Sequence, residues 1–245
     1  MSLPLFLKPK KNFNLIRLGK DNDGGYLAEI ESVKNSKYLL SLGIYDDWSF
    51  EKNFLEINKN VKIFCYDASV SASFFFKKIV KNLVFVLYYG IKKLIKSIQL
   101  FLSFKNFFSD KNFCNHYIYY NDITKIVNEK KLTDKIFLKI DIEGSEYRIL
   151  KDLVEIREKI CGICIEFHDI DLHLDKIEKF IREINLELVH IHPNNFGRKD
   201  LNNNPTVIEV TFAKKPGQNH DILTLPNVLD HKNNPEVKDI KIDFC

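Results

Sequence analysis

Residues 135–150, KIFLKIDIEGSEYRIL, join an apolar run to an amphipathic one. The first part, residues 135–141, is typical of a buried strand, and residues 145–159 have the spacing of a helix. Three acids lie close together where the two elements meet, namely Asp141, Glu143 and Glu146. Such a concentration is costly unless the carboxylates meet cations, a metal ion or a hydrogen-bonded ligand. The stretch therefore predicts a strand, a turn and a helix with chemistry located at the turn.

The same alternation of strand and helix extends outward in both directions. Further strands are predicted over residues 38–43, 61–67, 117–122, 160–168, 186–192 and 206–213, and further helices over 49–59, 122–131 and 174–185. This pattern favours a parallel α/β sheet with helices on both faces. In such sheets a ligand binds beyond the carboxyl ends of the strands. The residues that follow the strands are therefore the candidates for function: Gly43, Asp67, Asp122, Asp141, His168 and His192.

The turn after the first strand of this set, LGIYDDWSFE at residues 42–51, contains a single glycine. It lacks the glycine pattern that cradles a dinucleotide pyrophosphate. Asp46 and Asp47 would repel a pyrophosphate and instead suit a cation, such as an amino group or a sulfonium. Alternatively, Asp47 or Ser49 simply caps the helix that follows.

Two acids at strand ends suit a nucleoside. Asp67 follows Gly43 by 24 residues, and an acid about 20 residues past the glycine turn accepts hydrogen bonds from a ribose in nucleotide-binding α/β folds. The alternative for Asp67 is a surface loop acid. Asp122 is predicted either to receive an adenine amino group or to cap the next helix.

Several pieces of the chain resemble the FkbM-type family of S-adenosylmethionine-dependent O-methyltransferases. They are residues 135–150 and the stretches RLGKDNDGGY (17–26), SLGIYDDWSFE (41–51), IEFHDID (165–171) and HIHPNN (190–195). The resemblance implies a Rossmann-like class I methyltransferase fold, whose seven-stranded, mostly parallel sheet has an antiparallel last strand. It also implies that Gly43 and Asp67 hold the cofactor, S-adenosylmethionine. The chain departs from the family pattern at Tyr45, where a small residue is usual, and over residues 70–112.

Transfer of an activated methyl group to a hydroxyl requires a positioned acceptor oxygen and removal of its proton. His168 is predicted to be the base, oriented by Glu166 or Asp169, with Asp141 and Glu143 beside it. Alternatively, a divalent ion, Mn²⁺ or Mg²⁺, acidifies the hydroxyl. Its ligands would come from Asp141, Glu143, His168 and His192.

Two loops are predicted to complete the site. Asp23 and Gly24 are expected to fold over the cofactor, or else to form a tight turn before a strand. His192, Asn194 and Asn195 are expected to bind the acceptor. The family resemblance favours a sugar or nucleotide-linked sugar used in surface or capsular polysaccharide biosynthesis.

Residues 70–108 contain seven lysines, eight phenylalanines and no acid, within a chain whose net charge is only +4. Their spacing predicts one or two amphipathic helices broken near Gly90, as a basic, aromatic insertion over residues 70–112. A homo-oligomer with this segment at the interface is expected; the alternatives are an internal hairpin, contact with an anionic membrane surface, or a clamp for a phosphorylated acceptor. The segment is too apolar for a nucleic-acid platform, so no nucleic-acid partner is predicted.

The remaining features favour a cytoplasmic protein with one domain over residues 1–245. The pair Cys161 and Cys164 has no second pair to complete a zinc site, so ordinary buried thiols in a reducing compartment are expected. Two rival functions remain open: a non-catalytic interaction protein that docks through residues 70–108, and a nicotinamide-dependent oxidoreductase.

Overall fold

The structure is a computed structural model that describes residues 2–109, 112–219 and 222–245. Its strands are β1 (Ser2–Leu3), β2 (Asn12–Phe13), β3 (Leu15–Leu18), β4 (Tyr26–Glu29), β5 (Tyr38–Leu42), β6 (Lys62–Tyr66), β7 (Asn112–Cys114), β8 (Ile136–Ile140), β9 (Ile160–Phe167), β10 (Glu187–Pro193), β11 (Ile208–Ala213), β12 (Gln218–Asn219) and β13 (Asp243–Phe244). Its α-helices are α1 (Ile30–Asn35), α2 (Ser49–Ile57), α3 (Ala72–Val84), α4 (Val86–Tyr89), α5 (Ile91–Phe107), α6 (Asp122–Glu129), α7 (Glu146–Glu155) and α8 (Leu174–Glu183). Three short 3₁₀ turns lie at Leu5–Leu7, Arg157–Lys159 and Ile170–Leu172.

Seven of these strands form one sheet in the order β10-β11-β9-β8-β5-β6-β7. Strands β5 to β9 pair in parallel, whereas β11 is antiparallel to both β9 and β10. When the seven are renumbered along the chain, the order becomes 3-2-1-4-5-7-6 with an antiparallel seventh strand. This is the Rossmann-like class I methyltransferase fold, so the predicted fold class is confirmed.

Alternate side chains of the central strands enter two separate cores, because successive residues of a strand point to opposite faces. On one face Leu40 and Leu138 pack with α6, α7 and α8. On the other face Leu39 and Phe137 pack with α1, α2 and the helices that follow β6. Both faces of the sheet are therefore covered. The polar residues at the carboxyl ends of its strands remain as the candidates for function.

Helices α3, α4 and α5 form a hairpin between β6 and β7. Gly90 separates α4 from α5 with φ of +79°. The base of the hairpin is anchored by aromatic contacts, since the buried rings of Phe75 and Phe104 pack 4.7 Å apart and each lies about 6 Å from the ring of Trp48.

The strand predicted over residues 117–122 is wrong. The third strand of the sheet is β7, and it ends at Cys114. The side-chain amide of Asn115 donates to the carbonyl oxygens of Asp67, Ala68 and Val70 at 3.2, 3.0 and 2.6 Å. These bonds turn the chain away from the ladder, so the tyrosine-rich run that follows lies in an exposed loop before α6.

Candidate active site

A cavity of about 610 Å³ opens at the carboxyl ends of β5, β6 and β8. Its size is within the range of small-molecule sites. Two lysines, Lys20 and Lys139, line it together with seven acids: Asp23, Asp46, Asp47, Glu51, Asp67, Asp141 and Glu143. The excess of carboxylates makes the cavity a site for a cation or for a ligand rich in hydrogen-bond donors.

The floor of the cavity is the point where β5 and β8 come closest. The amide of Gly43 donates to the carbonyl of Tyr66, and the amide of Asp141 donates to the carbonyl of Leu42, each at 2.9 Å. Gly43 has φ of +77°, and a Cβ atom there would lie 1.6 Å from the carbonyl oxygen of Asp141. Both the backbone conformation and the close approach require glycine at this position.

Asp67 holds the turn after β5 in place. Its Oδ2 accepts hydrogen bonds from the amides of Ile44 and Tyr45 at 2.8 Å. Its Oδ1 accepts from the amide and hydroxyl of Ser69, each at 2.6 Å. Tyr45 is held with φ of +42°, in the left-handed region that a tyrosine rarely occupies. The carboxylate of Asp67 thus shapes the loop that the sequence assigns to the cofactor.

The loop between β3 and β4, residues 19–25, covers one side of the cavity, where Asp23 and Gly24 line it. Lys20 in this loop forms an ion pair with Asp47 at 3.1 Å. Asp47 also accepts a hydrogen bond from the amide of Ser49, the first residue of α2, at 3.1 Å. One carboxylate therefore contacts both the start of α2 and the covering loop.

Behind the cavity lies a buried polar network. The hydroxyl of Tyr26 lies 3.0 Å from Oδ2 of Asp141 and 2.9 Å from Oε2 of Glu166. Burial, together with the charges of Asp141 and Glu209, raises the pKa of Glu166 well above its usual value. The ammonium of Lys139 binds the carbonyl of Gly43 and lies 3.4 Å from Asp141. Burial opposes this charge, but nearby Asp141 and Glu51 raise the pKa of Lys139, so the ammonium stays charged.

His168 stands between three glutamates. Its Nδ1 lies 3.1 Å from Oε1 of the fully buried Glu146, and its Nε2 lies 3.5 Å from Glu143 and 3.7 Å from Glu166. Burial opposes its charge, but the hydrogen bond and charge of Glu146, with the charges of Glu166 and Asp141, raise the pKa of His168 to about 9. Without a ligand the imidazole is therefore mostly protonated at neutral pH.

Three of the predicted groups converge. Asp141, Glu143 and His168 each offer a ligand atom, and these atoms lie within 4.8 Å of one another. Two carboxylate oxygens and one imidazole nitrogen are donors that suit Mn²⁺ better than Mg²⁺. The structure does not bring His192 into this group.

Other predicted site residues lie elsewhere or act indirectly. Asp122 is the first residue of α6 and binds His116 and the amide of Tyr119 rather than lining the cavity. His192 is buried between Glu209 and Asp239 at 3.5 and 3.4 Å. The amide of Asn195 binds the carbonyl of Asn234 in the C-terminal segment.

Asn194 does join the site, although from behind it. Its amide donates to Oε1 of Glu166 at 2.9 Å and lies 3.5 Å from Asp23. It therefore connects the covering loop to the carboxylates near His168, where the sequence predicts contact with the acceptor.

Sequence reasoning missed several members of the site. Tyr26 and Lys139 are buried within strands, where a polar residue in an apolar run was the available signal. Sequence analysis also missed the part of the cavity wall formed by His116, Tyr117 and Ile118, because it predicted a strand over residues 117–122.

No family model matches the sequence, and no curated protein matches it either. Solved structures with a similar fold include a precorrin-6y C5,15-methyltransferase from Geobacter metallireducens, with 9% identity, 76% of this chain and 85% of that chain covered, and a TM-score of 0.42. Another is a fibrillarin pre-rRNA processing protein from Methanococcus jannaschii, with 9% identity, 76% of this chain and 70% of that chain covered, and a TM-score of 0.40. At such identities and scores, neither structure assigns an activity, a substrate or a partner to this chain.

Proposed function

We propose that this chain is an S-adenosylmethionine-dependent O-methyltransferase of the FkbM type, acting in the cytoplasm on a hydroxyl of a sugar or nucleotide-linked sugar for surface polysaccharide. The observation that supports this most is the acidic cavity at the carboxyl ends of β5, β6 and β8, with His168, Glu143 and Asp141 grouped at one side. The acceptor class rests on the family resemblance alone.

The cavity suits the cofactor in two ways. Its carboxylates, among them Asp23 and Asp141, favour a ligand that carries a sulfonium and an ammonium group, and they disfavour the pyrophosphate of a nicotinamide dinucleotide. Asp67 would accept hydrogen bonds from the ribose. All four of its acceptor sites are used by backbone and Ser69 donors, but the Ser69 hydroxyl can rotate away and free one of them.

The cofactor, when bound, supplies a methyl group already activated on sulfur. The protein's task is then to hold the acceptor hydroxyl and receive its proton as the new carbon–oxygen bond forms and the carbon–sulfur bond breaks. Glu143 lines the cavity and His168 lies directly behind it, so these residues and Asp141 are positioned to receive that proton. Tyr26 and Lys139 position Asp141 from behind.

Two routes for the proton remain, and the ligand cluster favours metal assistance. A base acting alone must be neutral, and His168 is mostly protonated at neutral pH because its pKa is about 9. A divalent cation held by Asp141, Glu143 and His168 would replace that proton and supply positive charge that lowers the pKa of a bound hydroxyl.

Calorimetric titration tests the cofactor assignment directly. We expect S-adenosylmethionine to bind and NAD not to bind. Asp67→Ala should weaken binding by roughly 1.5–3 kcal/mol, because a charge-assisted acceptor is lost. Ser73→Ala, at an exposed position at the start of α3, is the matched control and should bind normally. Binding of NAD alone would overturn the proposal, and binding of neither would favour a non-catalytic interaction protein.

A screen of nucleotide sugars, with detection of S-adenosylhomocysteine, tests the acceptor. Turnover with a nucleotide sugar is the expected result. Treatment with EDTA should abolish turnover and added Mn²⁺ should restore it. Full activity in EDTA would reject the metal and leave His168 as the base.

A further inference from the structure

The tip of the α3–α5 hairpin exposes an unusual amount of apolar surface. The exposed fractions are 101% for Leu87, 84% for Tyr88, 68% for Val84 and 64% for Ile91. Leu83 and Phe85 beside them are also exposed, at 57% and 50%. Exposed apolar side chains of this number in one short segment are typical of an interaction surface rather than of ordinary solvent-exposed protein.

This surface continues down both long helices at helical spacing. On α3, the exposed residues Phe76, Val80 and Leu83 are four and three positions apart. On α5, the exposed residues Ile91, Ile95, Ile98 and Leu102 follow the same spacing. Residues three or four apart lie on one face of a helix, so each helix presents one apolar stripe to solvent.

The charge around these stripes has a single sign. Lys77, Lys81, Lys92, Lys93, Lys96 and Lys105 are exposed, and residues 70–108 contain no acid. Among the ion pairs of the described residues, only Lys78 of this segment has a carboxylate partner, which is Asp46. The tip, residues 83–91, thus carries exposed leucine, valine and tyrosine, and the uncompensated lysines Lys81, Lys92 and Lys93 flank it.

The hairpin holds this tip in a defined shape. Phe75 and Phe104 bury its base against Trp48, and the buried Asn82 connects α3 to the start of α5 through the carbonyl of Lys93 at 3.5 Å. The exposed apolar side chains and the lysines are therefore held together on a fixed scaffold. No helix of the described residues is long and apolar enough to cross a bilayer.

We propose that the tip of the hairpin, residues 83–91, docks the protein on an anionic lipid surface. Its apolar side chains enter the boundary between headgroups and acyl chains, while the lysines bind lipid phosphates. A symmetric contact between two copies of the hairpin fits less well, because it would set the same lysines against one another without a compensating acid. Such a contact is the homo-oligomer that the sequence predicts.

Docking would also fix where the cavity lies. Helix α3 has 13 residues, and its middle is tied to the cavity wall by the pair of Lys78 and Asp46 at 2.9 Å. At about 1.5 Å per residue, the end of α3 at Val84 is roughly 10 Å along the helix from that pair. The cavity would therefore lie close to acceptors held at the membrane surface.

Vesicle flotation tests the proposal with the full chain. Vesicles of equal parts phosphatidylcholine and phosphatidylglycerol should carry the protein upward, and phosphatidylcholine vesicles should carry much less. Leu87→Asp should abolish flotation, whereas Leu201→Asp, at a fully exposed leucine between β10 and β11, should float like the wild type. Circular dichroism spectra that match the wild type verify that both variants are folded.

A second pair of variants tests the charge. Replacing Lys81, Lys92 and Lys96 together by glutamine should reduce binding to the anionic vesicles about a hundredfold, since each lysine near such a surface contributes about a fivefold factor. Replacing the exposed Lys125, Lys151 and Lys179 on α6, α7 and α8 should have little effect. Equal binding of the two triple variants would overturn the proposal.

Sedimentation velocity distinguishes a lipid surface from a second copy of the chain as the partner of the tip. A monomeric wild type that floats with anionic vesicles supports the proposal. A dimer that Leu87→Asp dissociates, with no flotation of the wild type, would assign the tip to a second copy and reject the membrane. These results do not depend on methyl transfer, so they can fail while the proposed function stands.

Discussion

At Gly43 the backbone has φ of +77°, and a Cβ atom would lie 1.6 Å from the carbonyl oxygen of Asp141. We expect Gly43→Ala to weaken S-adenosylmethionine binding at least about tenfold, because the left-handed conformation alone costs roughly 1–2 kcal/mol for an L-residue and the clash also forces β5 and β8 apart. Calorimetric titration measures the affinity, and thermal unfolding measures the loss of stability.

Gly90 provides the control for this substitution. Its φ of +79° is similar, but a Cβ atom there would meet nothing within 4 Å. Gly90→Ala therefore carries the conformational cost without the clash. If both variants bound the cofactor equally well, the close approach to Asp141 would have no role in shaping the site.

His168→Ala should stop turnover and spare cofactor binding. His168 lies beside Glu143, and under the proposed function it helps to remove the acceptor's proton, either as the base or as a metal ligand. Loss of such assistance lowers rates by typically 10²–10⁴-fold. The rate is measured as formation of S-adenosylhomocysteine. His231→Ala, at a half-exposed histidine of the C-terminal segment, should retain the rate. Wild-type turnover in His168→Ala would remove this residue from the mechanism.

At the scale of elements, the aromatic base of the hairpin makes a separate prediction. Phe104 is 5% exposed and its ring lies 5.8 Å from the ring of Trp48, so Phe104→Ala should reduce the free energy of unfolding by about 3–5 kcal/mol. Phe76 is 57% exposed on the same hairpin, and Phe76→Ala should change it by less than about 0.5 kcal/mol. Urea denaturation compares the two variants. Equal losses would show that Phe104 packs no better than a surface residue.

Elements with a clear hydrophobic period could be predicted from the sequence, and elements set by a single side chain could not. The strand at 136–140 and the helix at 146–155 lie within one or a few residues of their predicted bounds. The strand, buried on both faces, is an apolar run interrupted only by Lys139, and the helix has a clear helical period. The run at 117–122 has a similar composition. There, the amide of Asn115 ends β7 by binding three carbonyls of a loop far away in sequence, and nothing local announces such a bond.

The candidate site divides in the same way. Gly43, Asp67 and Asp141 all line the cavity, because the carboxyl end of a parallel strand has one fixed place in the sheet, and their roles toward a ligand stay predictions. His192 also lies near the carboxyl end of a strand, β10, so the same rule predicts that it lines the cavity. Its surroundings are decided by Asp239 of the C-terminal segment, whose position depends on packing over the whole molecule.

At the scale of the whole molecule, His192 links pH to stability. Burial opposes its charge, but Asp239 and Glu209 raise its pKa from 6.5 to about 10. A raised pKa means that the stabilising contribution is complete below pH 6.5 and is lost as the pH rises to about 10. The free energy of unfolding should therefore fall over this range, by an amount on the order of a few kcal/mol.

The variant His192→Asn isolates this contribution, because His168 still titrates in both proteins. Urea denaturation at several pH values between 6.5 and 10 should give a smaller fall for the variant than for the wild type. Parallel curves for the two proteins would show that His192 is not charged in the folded state.

The short strand β7 has a consequence for how the molecule opens. Among the strands that the structure describes, it pairs with β6 alone, over three residues, and it follows the whole hairpin insertion, whereas β8 is held between β5 and β9. Its amides should therefore exchange with solvent deuterium through local opening, while those of residues 137–140 exchange only when the whole chain unfolds. Asn115 next to β7 grips the loop that carries Asp67. A ligand bound at Asp67 should consequently slow deuterium uptake at residues 112–115 and leave the rate in β8 unchanged, so that this edge of the sheet reports occupancy of a cavity it does not line.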